Sequence, residues 1–262
     1  MLIHEICRLN SLRRPDLEAL VCEDGTRLTW RELEESAEAI AAMLAHMGVH
    51  KGDSVCCFAK NCVETLQIFL AASKIGAKYT PANYRFAASE IIEFLLDSRP
   101  RVVIVQRSFG KIMEMVNQSP AGPFVKDYLN LDGLPEGDSS FWAAVRNAPA
   151  RRYYPDIASS DIVLTCYTGG STARAKGVEL SHQAIYSGAL NFVIAGNLRH
   201  DDIYYVAGAL FHIAIVVPIA FWILGAKVVL GNFEAERTLH VIVDERVTQM
   251  ICTGTIFKLL VE

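Results

Sequence analysis

At 262 residues the chain is near the length at which one hydrophobic core begins to divide, and a lobe over residues 1–155 followed by a second over 156–262 is the expected organisation. A hydrophobic fraction of 52% and a mean hydropathy of +0.24 exclude a disordered chain. Lys+Arg 25 against Asp+Glu 29 leaves a net charge of −4, with no overall attraction to nucleic acid or anionic lipid, so a polyanionic ligand needs a local site.

Strands and helices alternate for most of the length, which predicts an α/β fold. Residues 1–16 mix acid and base into a short apolar run and are not a signal peptide. Residues 18–29 read as a hairpin turning at Asp24-Gly25. Thr29 and Glu32 form a capping-box pattern, and Leu33, Ala37, Ile40, Leu44 and Met47 give the following helix one apolar face, ended by Gly48. A strand over 54–59, an apolar helix over 63–75, a helix over 89–98 and a buried strand over 102–105 follow. Residues 119–160, punctuated by Pro and Gly, read as a long connection holding one short strand and one short helix. Beyond it come a buried strand over 161–167, a small-residue loop, a helix capped by Ser181 and running to Ala195, and strands over 203–207, 227–230 and 248–253 with helices between and after them.

Seven cysteines, none in a CxxC pair, read as buried reduced thiols of a cytoplasmic protein. Residues 208–226 contain no Asp, Glu, Lys or Arg and approach the length of a membrane span. His212, Pro218 and the abrupt Lys227 argue instead for a buried loop and core helix.

Chemistry concentrates in residues 167–176, YTGGSTARAK, after a predicted strand. Thr168, Ser171 and Thr172 carry hydroxyls, Gly169 and Gly170 allow close backbone approach, and Lys176 brings a cation. Backbone N–H groups of such a loop can form a nest for phosphate oxygens, with hydroxyls and the ammonium adding donors. The same composition also suits an ordinary polar turn with a solvated lysine. A Walker-type phosphate loop fails on spacing, since Ala175 precedes Lys176 and Gly177 follows it.

The segment YTGGSTARAKGVELSH, residues 167–182, resembles the signature of the adenylate-forming superfamily: acyl- and aryl-CoA synthetases, luciferases and peptide-synthetase adenylation domains. The similarity extends to residues 58–85, to SEIIEFLLDS, to ALFHIAIV with its Phe-His pair, and to the run from GAKVVL to Thr253. It covers essentially the whole chain but only about the first half of a complete member. The resemblance implies helix-flanked sheets of the acyl-CoA synthetase large N-terminal domain, incomplete. It implies ATP-dependent activation of a fatty or aromatic carboxylic acid to acyl-adenylate, then transfer to coenzyme A, with Mg²⁺ as cofactor. Carried over by position, Thr168, Gly169, Gly170, Ser171, Thr172 and Lys176 hold the β- and γ-phosphates. His212 belongs to the acyl/adenylate pocket.

Two departures stand out. Ala173 and Ala175 replace the family's usual Gly and Pro, and alanine at a positive-φ position costs about 1–2 kcal/mol. The later family motifs for adenine, magnesium, ribose and the catalytic lysine are not matched in these residues. The expectation is therefore a chain with no catalytic or metal-ligating residue of its own, inactive alone and inclined to self-associate through uncovered apolar faces. A non-catalytic module binding a nucleotide or a protein partner is the other reading.

Overall fold

The computed structural model describes residues 1–125, 128–132, 139–149, 155–168 and 175–262. It is a mixed α/β structure in which two sheets sandwich a layer of helices. The chain opens with α1 (Ile3–Arg13), then the hairpin β1 (Glu18–Cys22) and β2 (Arg27–Thr29). Asp24 Oδ1 accepts the Thr26 N–H at 2.9 Å and Gly25 takes φ 94°, so Asp-Gly makes the predicted turn. Helix α2 (Trp30–His46) starts on a full capping box: Thr29 Oγ1 accepts the Glu32 N–H, and Glu32 Oε2 accepts the Thr29 N–H at 2.8 Å. Of its predicted stripe, Leu33, Ala37, Ile40 and Leu44 are buried, and Met47, just past the helix end, is half-buried.

Next come β3 (Ser54–Phe58), α3 (Val63–Lys74), β4 (Lys78–Pro81), α4 (Ala88–Ser98), β5 (Val102–Val105) and α5 (Gly110–Asn117). The predicted connection over 119–160 holds α6 (Gly122–Val125), β6 (Leu129–Asn130) and α7 (Ser140–Asn147) among its described residues, one short helix more than expected. The chain continues with β7 (Ile162–Tyr167), β8 (Gly177–Ser181) and α8 (His182–Ala195), where Ser181 Oγ accepts the Ala184 N–H at 3.1 Å as the predicted cap. It ends with β9 (Ile203–Val206), α9 (Val217–Leu224), β10 (Lys227–Leu230), α10 (Ala235–Asp244), β11 (Gln249–Met250) and α11 (Gly254–Val261).

Among the described residues one sheet has the order β11-β9-β10-β1-β2 and the other β6-β5-β3-β4-β7-β8. All pairings are parallel except the hairpins β1/β2 and β7/β8. Each sheet takes strands from both sides of Pro155, so neither lies within one of the two expected lobes. The period-2 pattern explains why both sheets need cover on both faces. Val55, Cys57, Tyr79 and Ile104 of one sheet and Leu20, Val228 and Leu230 of the other face the shared core with α1, α2, α3, α8 and α9. The alternate residues Cys56, Phe58, Val103 and Val105 pack on α4 and α5, and Val21, Tyr205 and Val229 face Val241 of α10. Helix α3, central to this layer, is buried along its whole length.

The charge-free run 208–226 breaks into a loop, a short 3₁₀ turn at Ile213–Val216 and the eight-residue α9, which Gly225 ends in the left-handed region. Pro218 sits in the first turn of α9, where its missing N–H costs no hydrogen bond. Trp222 is buried edge-on to Trp30 and donates Nε1–H to the Ala19 carbonyl at 3.2 Å. The expectation of burial holds for α9, whereas His212 and Ile213 in the loop are exposed. Among the described residues no helix is long and apolar enough to cross a membrane.

Candidate functional site

The predicted phosphate loop lies in the sequence between β7 and β8, which pair as a hairpin. The pairing runs out to Tyr167↔Gly177, and beyond it the Thr168 N–H donates to the Lys176 carbonyl at 3.0 Å. Thr168 and Lys176 therefore face each other across the hairpin neck, both exposed. Gly169, Gly170, Ser171 and Thr172 lie outside the described residues, as does Ala173 with its expected positive φ. The neck is anchored from below. Tyr167 is buried, donates its hydroxyl to Asp97 Oδ2 at 2.7 Å and meets Phe94 edge-on at 4.7 Å. A Cβ on Gly177 would come within 3.1 Å of the Tyr167 ring, so glycine here lets β8 cross that ring closely.

His212 occupies a different feature, a cleft of about 670 Å³. Its walls come from the segments that follow β3, β4, β9, β10 and β11, so the carboxyl ends of parallel strands from both sheets converge on it. That is where open α/β sheets offer backbone and loop groups to ligands. The cleft contains Lys60, Arg85 and His212 and no Asp or Glu. Arg85 lies 5.5 Å from the Tyr84 ring centroid and 6.0 Å from that of Phe211, while those two rings meet edge-on at 5.1 Å. A basic, aromatic-lined cleft suits an anion carrying apolar surface.

The cleft and the hairpin neck share support. Tyr84, a cleft residue, packs on the apolar cluster that contains Tyr167 and also takes Ala175. Thr168 and Lys176 do not line the cleft itself.

Sequence reasoning missed the cleft's polar floor. Buried Asn61 donates Nδ2–H to the Gly208 and Gly231 carbonyls at 2.9 and 2.8 Å and accepts the Leu210 N–H at 2.9 Å. Asn232 accepts the Asn61 N–H at 3.1 Å and donates its Nδ2–H to the Asn61 carbonyl at 3.0 Å, and its own N–H reaches Glu23 Oε1 at 3.0 Å. These bonds join the loop after β3 to those after β9 and β10, fixing the two sheets relative to each other where the cleft forms. Both asparagines fall in segments that resemble the family, and alone each reads as an Asn just after a strand, which also describes many turns.

Among the described residues no group of three or more His, Cys, Asp or Glu is placed to hold a metal ion. The donor set for magnesium does not fit within these described residues.

A sequence profile described as AMP-binding enzyme matches residues 8–262. The chain is 29% identical over 238 residues to the long-chain-fatty-acid–CoA ligase FadD13 of Mycobacterium tuberculosis, covering 89% of this chain and 46% of that protein. It is also 29% identical over 236 residues to the 2-succinylbenzoate–CoA ligase of Oceanobacillus iheyensis, again covering 89% and 46%. Among solved structures, the N-terminal domain of FACL13 from Mycobacterium tuberculosis superposes with a TM-score of 0.91 at 26% identity, covering 98% of this chain and 64% of that one. The chain spans about half the length of these curated relatives.

Proposed function

The chain belongs to the AMP-binding enzyme family, and we propose that it contributes two parts of an ATP-dependent acid–thiol ligase: a phosphate-holding hairpin and one wall of the acyl cleft. The proposed overall reaction converts a fatty or aromatic carboxylic acid to an acyl-adenylate and then to its coenzyme A thioester. Support comes from the relatives named as acid–CoA ligases and, above all, from the cleft at the converging strand ends, which carries three basic side chains and no acid.

The roles proposed for these residues are carried over from their positions in the family signature. Lys176 and Thr168, with Gly169, Gly170, Ser171 and Thr172 of the segment between β7 and β8, hold the β- and γ-phosphates of ATP. The Lys176 ammonium offsets their charge, and the hydroxyls and backbone N–H groups donate to their oxygens. His212 and Phe211 flank the acyl end of the acid, with Arg85 and Lys60 drawing the anion into the cleft. Adenylation depends on charge stabilisation by several positioned groups. We infer that the 262-residue polypeptide alone is inactive and that the remaining groups come from sequence corresponding to the other half of its relatives. Exposed Phe257, Leu259 and Val261 on α11, which buries no residue of its own, support self-association of this polypeptide and keep a purely binding role open for it.

Lys176→Ala should weaken ATP binding by about tenfold or more, the scale of one charge-assisted hydrogen bond. Calorimetric titration of the 262-residue chain with ATP reads this directly. Equal affinities for both proteins would remove Lys176 from the phosphate site.

A further inference from the structure

The polar floor of the cleft is tied to a carboxylate that does not itself line the cleft. Glu23 directly follows β1, and its side chain is 7% exposed. Three contacts pin it. Its N–H donates to the Leu230 carbonyl at 3.0 Å, its carbonyl accepts Arg237 Nη2–H at 3.0 Å, and Arg237 Nε lies 3.5 Å from Oε2. The other carboxylate oxygen, Oε1, accepts the Asn232 N–H at 3.0 Å and the Asn232 Nδ2–H at 3.4 Å.

A carboxylate only accepts, whereas an asparagine amide can present either its oxygen or its NH₂. Glu23 therefore draws the Asn232 NH₂ toward itself and leaves Asn232 Oδ1 for the Asn61 N–H at 3.1 Å. The same NH₂ reaches the Asn61 carbonyl at 3.0 Å. Asn61, 5% exposed, commits its Nδ2–H donors to the Gly208 and Gly231 carbonyls and its Oδ1 to the Leu210 N–H. It thus grips the backbone on both sides of Ala209, directly before Phe211 and His212. Residues 207–212 belong to no helix or strand, so this grip supplies anchorage that regular structure does not.

Hydrogen bonds in such a chain orient one another. We propose that Glu23 is a positioning residue: acting through Asn232 and Asn61, its carboxylate holds the backbone of Gly208–Leu210 and so sets where Phe211 and His212 stand in the cleft. Its consequence for the reaction rests on the proposed reading of the cleft as the acyl site, since small displacements of positioned groups weaken catalysis strongly.

Two measurements on the 262-residue chain test this: hydrogen exchange over residues 207–213, read by mass spectrometry, and calorimetric titration with dodecanoate. Glu23→Leu removes the acceptor. It should speed exchange in this segment about tenfold or more while β3 and β4 keep wild-type protection, and weaken dodecanoate by a similar factor. Glu23→Gln keeps an acceptor oxygen for Asn232 and should restore both. Asn232→Ala should match Glu23→Leu, and the double variant should be no worse than either single one, because both act through one chain of hydrogen bonds. Unchanged exchange in Glu23→Leu and Asn232→Ala overturns the proposal. So do additive effects in the double variant, or loss of protection spread evenly over both sheets, which marks a general structural role. If the wild-type chain does not bind dodecanoate, the acyl reading fails, and the exchange results alone decide the role of Glu23.

Discussion

Replacing Lys74 by Met is expected to lower the unfolding free energy by about 3 kcal/mol, the low end of the range for breaking a buried ion pair. Lys74 closes α3, is 3% exposed, and donates to Glu34 Oε1 at 2.6 Å and Glu38 Oε1 at 2.8 Å on α2. Burial alone would pull its pKa down, but the two carboxylates outweigh that and hold it above the ordinary lysine value. Methionine keeps most of the volume and removes the charge, leaving two acids facing one another at the α2/α3 contact. Glu38 retains some access to water, with a side chain 23% exposed, which limits the loss. The midpoint of urea unfolding should fall with an unchanged slope. Adding Glu34→Gln and Glu38→Gln should recover much of the loss, because the cost lies in uncompensated charge. A midpoint shift equivalent to less than about 1 kcal/mol would show that water reaches the triad.

Acidification should destabilise the chain well above the pH at which its carboxylates titrate. His182 is buried at the start of α8, where Nδ1 accepts the Ile3 N–H at 3.1 Å, and burial lowers its pKa to about 4. His4, whose Nδ1 lies 2.9 Å from Ser73 Oγ, is lowered to about 3, first by burial and then by Lys74. Both rings stay neutral in the fold but gain protons near pH 6.5 once unfolded. The unfolded state therefore takes up protons first, and stability falls as pH drops below about 6.5, continuing until the folded pKa values are reached. By pH 5 the linkage amounts to about 2 kcal/mol for His182 and about the same for His4. Glu245 acts lower on the scale. Hydrogen bonds from Arg27, then Lys227, hold it down at about 2, so its contribution is present above pH 4.5 and is lost as pH falls through 2. Urea unfolding at pH 7.5 and 5.0 reads the histidine effect, and His182→Gln should flatten it by roughly half. An unchanged pH slope in that variant would remove His182 as a source.

Local chemistry made much of this fold legible. The capping box at Thr29 and Glu32, the Asp24-Gly25 turn, the Ser181 cap and the apolar strand cores stand where the sequence placed them, because each is decided within a few residues. The elements that escaped are decided by distant partners. Strand β8 is largely exposed and has only two apolar side chains, Val178 and Leu180, too few to mark it; it exists because β7 pairs with it. Helix α1 starts after Leu2, which has no capping oxygen, and only Glu5 Oε2 reaches back to the Leu2 N–H at 3.2 Å; docking fixes the helix, with Asn10 Nδ2–H donating to the Trp222 carbonyl at 2.7 Å. Strand β4 is short and ends on Pro81, yet it lies between β3 and β7.

The candidate site divides in the same way. The loop signature falls between β7 and β8, with Thr168 and Lys176 at the hairpin neck, and both residues of the Phe-His pair line the cleft. Tyr84, Arg85, Asn61 and Asn232 join the cleft only because parallel strands far apart in sequence end together. They lie in segments that resemble the family, residues 58–85 and 225–253, but no local pattern singles them out.

Acid-dependent exchange of labelled pyrophosphate into ATP tests the central claim most directly. Four proteins are compared over a panel of fatty and aromatic acids: the 262-residue polypeptide, the same residues joined to the second half of a full-length relative, and the Lys176→Ala variant of each. The joined protein should exchange with at least one acid and lose about a hundredfold or more of that rate on Lys176→Ala, as expected for one preorganised electrostatic group. The 262-residue polypeptide should stay at the level of its own Lys176→Ala variant. Exchange by the 262-residue polypeptide above that variant would contradict the account, because it would place a complete adenylation site within these residues.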